Sequence, residues 1–149
     1  MYRLVRMAGL LTLWITLAGC GIVGPSELDE LDEKRQLWEA QGLSDYDYTI
    51  QRGCFCGASG WHRVEVRASE VALVTHIESG TVLDPAFTDG FTDIDGVFDL
   101  VAEALREADE ITVEYDEAMG FPKDVSIDYI TDAVDDELSL VLTAPTPPS

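Results

Sequence analysis

Basic residues are scarce in this chain of 149 residues: nine lysines and arginines stand against 29 aspartates and glutamates, for a formal net charge of −20. A body this acidic repels phosphate backbones and anionic head groups, which argues against a nucleic-acid partner. Cysteine and histidine are scarcer still, at three and two copies. No Cys-x-x-Cys occurs, so the usual thioredoxin-type and paired zinc-ligand signatures are missing. Gly-x-Ser-x-Gly, His-Glu-x-x-His and a phosphate loop are absent as well, which removes the commonest hydrolytic and nucleotide-binding motifs. The apolar run Met7 to Ala18 falls short of the roughly 20 residues that span a bilayer core.

That stretch has another reading. "MYRLVRMAGLLTLWITLAGC" places Arg3 and Arg6 before the apolar run and small residues after it, the order of a secretory signal peptide. Leu17, Ala18, Gly19 and Cys20 resemble the lipobox of bacterial lipoproteins. The resemblance implies cleavage before Cys20, a covalent lipid on its sulfur, and an extracytoplasmic, membrane-anchored product. Several acyl chains, at about 0.8 kcal/mol per buried methylene, make such an anchor stable. Gly21 stands where the family's inner-membrane retention aspartate would be, so the outer membrane is favoured in a cell with two membranes. Loss of residues 1–19 removes two arginines and no acid, which moves the net charge to −22. The mature chain is large enough for one domain with a real core.

Patterning divides that domain. Residues 20–25 form a short tether, 26–144 the folded unit, and 145–149 a Pro-rich tail expected to be disordered. Ser26 with Asp29 three residues later makes a capping box, and Leu28, Leu31 and Trp38 line one stripe of a helix that Gly42 ends. From Asp45 to Glu78 the period drops to two, predicting three antiparallel strands: Tyr46, Tyr48 and Ile50 in the first, Val64 and Val66 in the second, and Val71, Leu73, Thr75 and Ile77 in the third. A loop over Ser79 to Thr92 precedes a second helix, whose stripe is Ile94, Val97, Phe98, Val101, Ala104 and Leu105. Three further strands are expected near Ile111–Tyr115, Val125–Ile130 and Glu137–Thr143. The sum is an α+β fold, a two-layer domain with an antiparallel sheet of about six strands and two helices on one face.

Trp38, "YDYTIQRGCFC", "VEVRASEV", "TDIDGVFDLV", "VEYDEAMGFPKDVSIDY" and "DAVDDE" resemble a family of exported bacterial lipoprotein domains of unknown function, DUF6174. The most specific stretch is the series Tyr115, Asp116, Gly120, Phe121, Pro122, Ile127 and Asp128, followed by the Cys-x-Cys. The resemblance implies an exported domain of similar fold and names no activity.

Cys54 and Cys56 are the residues with a chemical edge. If the apolar faces of the first two strands agree, Cys54 pairs with Val64 and Cys56 with His62, around a loop from Gly57 to Trp61. A turn at Ala68–Ser69 then pairs Val64 with Leu73 and His62 with Thr75, which turns His76 to the opposite face from His62. Four readings stand. A Cys54–Cys56 disulfide suits an exported compartment but needs a bend, since same-face strand neighbours are about 6.5–7 Å apart. Gly53 and Gly57 permit one. A thiol-redox site would use His62 to stabilise the Cys56 thiolate. A soft-metal site would use Cys54, Cys56 and His62. Two reduced, buried cysteines complete the set.

The acids read as local structure first. Asp93 or Thr92 suits a helix cap, and an EF-hand fails because Phe91 and Ala102 would fall on its first and last ligand positions. Asp116 and Asp128 flank a turn, and Asp135, Asp136 and Glu137 precede the last strand; turn and edge solvation account for them, with a gathered cation as the alternative. The expectation is a lipid-anchored envelope accessory or binding protein without a catalytic group and without a cofactor beyond the lipid on Cys20. Its partners would be the membrane and an envelope protein or a cation.

Overall fold

A computed structural model of the chain describes residues 26–55, 58–133 and 135–148. The leader, Cys20, the tether and Cys56 lie outside them. Helix α1, Glu27–Glu39, starts where the sequence places it: the Ser26 hydroxyl accepts from the Asp29 N–H at 3.2 Å, and Asp29 accepts from the Ser26 N–H at 2.9 Å. These bonds satisfy two amide donors at the helix start, and the Ser26 N–H and hydroxyl, both donating to Asp29, hold its carboxyl below its usual range. Leu31 and Trp38 are buried, whereas Leu28 is exposed. Helix α2, Ile94–Glu107, is capped by Asp93, which accepts from Gly96 N–H at 2.9 Å. It buries Ile94, Val97, Phe98, Val101 and Ala104, and Phe98 alone is worth about 3 kcal/mol of burial.

Six strands form one antiparallel sheet: β1 Tyr46–Cys54, β2 Gly60–Arg67, β3 Glu70–His76, β4 Glu110–Tyr115, β5 Pro122–Asp128 and β6 Glu137–Leu142, in spatial order β3-β2-β1-β6-β5-β4. Chain order is therefore one helix and a three-strand meander, twice over, joined where β1 pairs with β6. The α+β class and the six strands follow the sequence reading. The core lies between the helices and the sheet face carrying Tyr46, Tyr48, Ile50, Val64, Val66, Val125, Ile127, Leu140 and Leu142. Trp38 of α1 packs edge-on against Tyr46 and Phe121, at 5.6 and 6.5 Å between ring centroids.

The crossing from β3 to β4 joins opposite edges of the sheet, five strand spacings or about 24 Å. Helix α2 packs on β4 and β5. The β1–β3 side is reached instead by the segment from Asp84 to Phe91, which opens with a 3₁₀ turn, Pro85–Phe87. Its one buried side chain is Phe91.

Two register expectations are corrected. Tyr48 pairs with Val64, Ile50 with His62 and Arg52 with Gly60, where the β1–β2 ladder stops; Cys54 is opposite Leu138 of β6 rather than Val64. Alternation fixes register only in steps of two residues, so the faces were right and the loop length was not. The Ala68–Ser69 turn is present, with positive φ at both residues (52° and 60°), the handedness of a two-residue hairpin. Beyond it an extra residue, Ala72, bulges from β3: Val66 pairs with Val71, yet Glu65 pairs with Leu73 and Val64 with Val74. The bulge moves the rest of β3 over by one. Val74 is buried, Leu73 and Ile77 are exposed, and His76 comes to lie opposite His62. Thr146, inside the Pro-rich segment expected to be disordered, exchanges two backbone hydrogen bonds with Asp47 at 2.8 and 2.9 Å.

Candidate functional site

Of the expected cysteine–histidine grouping, Cys54 and His62 are placed apart, and Cys56 lies outside the described residues. His62 sits opposite Ile50, four residues along β1 from Cys54, or about 13 Å of strand. Cys54 closes β1 on the other side of that strand, beside β6. It is not a free thiol. Among the described residues, no group of three His, Cys, Asp or Glu is placed to hold a metal.

His62 has instead joined a corner that the sequence did not disclose. Its ring is 2 % exposed, 5.0 Å from the His76 ring and 4.7 Å from the Phe91 ring. Its Nδ1 lies 3.1 Å from the Gly60 carbonyl oxygen. Burial holds the imidazole below its ordinary value; the Gly60 carbonyl opposes this, while His76 and Arg52 add to it. Arg52 shares the inward parity of Tyr48 and Ile50. Its guanidinium carbon lies 5.1 Å over the Phe91 ring and the group donates to the Gly90 carbonyl. Tyr48 donates its hydroxyl to the Thr92 carbonyl. A side chain on Gly90 would collide with the Arg52 guanidinium, so glycine there lets the segment lie down on this corner.

The family series from Tyr115 to Asp128 is a docking device for α1. The Asp116 carboxylate accepts from Ala118 and Met119 N–H at 3.0 and 2.7 Å, and its N–H donates to the Phe121 carbonyl at 2.8 Å. These bonds close the β4–β5 turn. Gly120, at φ +86°, brings its backbone against Lys34, Leu37 and Trp38 of α1. Phe121 is buried, Pro122 pairs with Tyr115 at a bulge, and Tyr115 stacks on Phe98 with centroids 6.4 Å apart. Burial, with the nearby Glu30 and Glu27, pushes the Tyr115 hydroxyl up to about 12. Asp128 accepts from Ile130 N–H at 3.1 Å, again as a turn residue.

The sheet face away from the helices carries a groove of about 570 Å³ over β4, β5, β6 and the end of β1. Glu110, Asp128 and Glu137 are directly opposite one another across three neighbouring strands. Next to them run Thr112, Ser126 and Ser139, also in register. Asp135 adds a fourth carboxylate, Phe55 a side chain that is 88 % exposed, and among the described residues no lysine or arginine lines the groove. Like charges facing each other across a ladder weaken it. On the β2 side of the same face the charges are instead matched: Arg67 lies 2.7 Å from Asp47 and 3.3 Å from Glu65.

A six-stranded antiparallel sheet covered on one face by two helices and open on the other is an α+β domain. The family of unknown function DUF6174 matches residues 30–146, from within α1 to Thr146, and the chain belongs to that family. No curated protein and no solved structure matches it.

Proposed function

We propose that the protein is a lipid-anchored, extracytoplasmic domain of the bacterial cell envelope that binds a basic partner segment on its helix-free sheet face. The observation that carries the binding reading is the aligned row Glu110, Asp128 and Glu137, with no base beside it among the described residues. A cationic, extended segment would relieve the mutual repulsion of these acids and could lay an apolar residue on Phe55. The anchor rests on the leader and on Leu17–Cys20. A tether of residues 20–25 reaches at most about 20 Å, which keeps the domain close to its membrane. A Cys54–Cys56 disulfide would act here as a local staple that fixes the kink presenting Phe55, and we assign it no redox turnover.

The test is titration with a synthetic extended peptide of alternating lysine and leucine, at low and high salt, against the mature domain and a Glu110→Gln/Glu137→Gln variant. Binding that weakens with salt and is lost in the variant supports the reading. Equal affinity for both proteins, or no binding at low salt, removes it. Anchoring is read separately: Cys20→Ser should move the protein from the membrane to the soluble fraction.

A further inference from the structure

His62 has no part in the groove, and its corner has a property of its own. Phe91 is the one deeply buried side chain between Asp84 and Phe91, and it rests on the His62 ring and under the Arg52 guanidinium. Every other side chain in that segment is exposed or half-buried. The segment is therefore held by one aromatic seat, together with the Arg52 contact to the Gly90 carbonyl. The groups facing His62 are Arg52 from β1, the Gly60 carbonyl from β2 and His76 from β3. The nearby acids are turned elsewhere: Asp84 accepts from Ala86 N–H at 2.9 Å and Asp93 from Gly96 N–H at 2.9 Å, while Asp89 is exposed.

We propose that the segment from Asp84 to Phe91 is an acid-released latch: a proton taken from solvent by His62 puts a cation beside Arg52 and His76, and Phe91 is unseated. Among the described residues, an imidazolium in this corner gains no carboxylate partner and keeps the Gly60 carbonyl alone, so the open state, where water solvates it, binds the proton more tightly. Opening is local. The Tyr46 hydroxyl still accepts from Ile94 N–H at 3.0 Å, and α2 stays on β4 and β5. What acid uncovers is the apolar corner over β1–β3, on the face opposite the acidic groove.

Linkage fixes the form of the response. Between the ordinary imidazole value of about 6.5 and the lower value of the closed form, opening rises by up to about tenfold per pH unit. Hydrogen exchange on the full mature chain, corrected for the intrinsic pH dependence of exchange, reads this directly at the Phe91 amide, which donates to the Thr88 carbonyl at 2.8 Å. The expected result is loss of protection from Asp84 to Phe91 below that value while β5 and β6 stay protected. His62→Gln should abolish the pH dependence, and His76→Gln, which removes the imidazole packed beside His62, should make it shallower. Should His62→Gln fail to fold, the imidazole titration of the wild-type chain decides: a midpoint below the ordinary value, coincident with the loss of protection, supports the latch. The same acid response in His62→Gln, or a His62 that titrates fully while the segment stays protected, overturns it.

Discussion

Gly120 and Lys34 meet backbone to backbone: a Cβ on Gly120 would overlap the Lys34 carbonyl oxygen and lie 3.0 Å from Leu37 Cβ. The same glycine holds φ at +86°. Gly120→Ala therefore carries two costs, backbone strain and a forced displacement of α1. We expect a loss of about 2–4 kcal/mol, read as a lower urea midpoint. A midpoint within error of wild type would mean that α1 does not seat on this turn.

Arg67 is the centre of a partly buried network. It donates to the Tyr46 and Val66 carbonyls and to the carboxylates of Asp47 and Glu65, at 2.7–3.3 Å. Asp47 is only 4 % exposed. Arg67→Ala should cost about 2–3 kcal/mol, and Arg67→Lys should restore only part of it, because an ammonium cannot fork to four oxygens. Full rescue by lysine would show that charge alone, and not the planar fork, secures this end of β2.

The Ala68–Ser69 turn stabilises the hairpin with the wrong residues for its own geometry. Both hold positive φ, where asparagine and glycine are at ease. The double change Ala68→Asn and Ser69→Gly should raise stability by about 1 kcal/mol, seen as a higher melting temperature with an unchanged unfolding slope in urea. A lower melting temperature would argue that these side chains have a role beyond the turn.

Much of this architecture was legible in the sequence, and the gaps have physical causes. Capping boxes and apolar stripes are local, so both helices and the six strands could be placed from composition and period. Register is not local. Nothing in "EVALVTHI" announces that Ala72 bulges, and that one residue exchanges Leu73, Thr75 and Ile77 for Val74 and His76 on the inner face. The two histidines were expected on opposite faces for this reason. Arg52 could have been suspected, since it shares parity with Tyr48 and Ile50, but its partner Phe91 comes from a loop without periodicity. The groove was half visible: Asp128, Asp135 and Glu137 stood out as acids, while the alignment of Glu110 with them required the β4–β5–β6 register.

That alignment has a stability consequence. Asparagine at Asp128 keeps an oxygen to accept from Ile130 N–H and removes the charge that faces Glu110 and Glu137. Asp128→Asn should raise stability by about 0.5 kcal/mol at low salt, and the gain should fade as salt screens the row. A loss of stability at low salt would mean that the three carboxylates are not in mutual repulsion.

His62 sets a pH dependence of known sign. Its folded-state value is depressed by burial, with His76 and Arg52 adding to the effect against the Gly60 carbonyl. The unfolded chain therefore binds the proton more readily, and stability contributed by neutral His62 is present above about pH 6.5 and lost as pH falls toward the folded-state value. Wild type should lose more stability than His62→Gln over that window in urea titrations at matched ionic strength. Parallel losses in the two proteins would assign the acid sensitivity to carboxylates instead.

The anchored-domain reading stands most directly on an intact mass of protein extracted with detergent from its native membrane without reductant, before and after reduction and alkylation. The expected chain begins at Cys20, carries the mass of its acyl chains, and takes up alkylating agent at Cys54 and Cys56 only after reduction. A chain that retains residues 1–19, or one that begins at an unmodified Cys20, would contradict lipid anchoring.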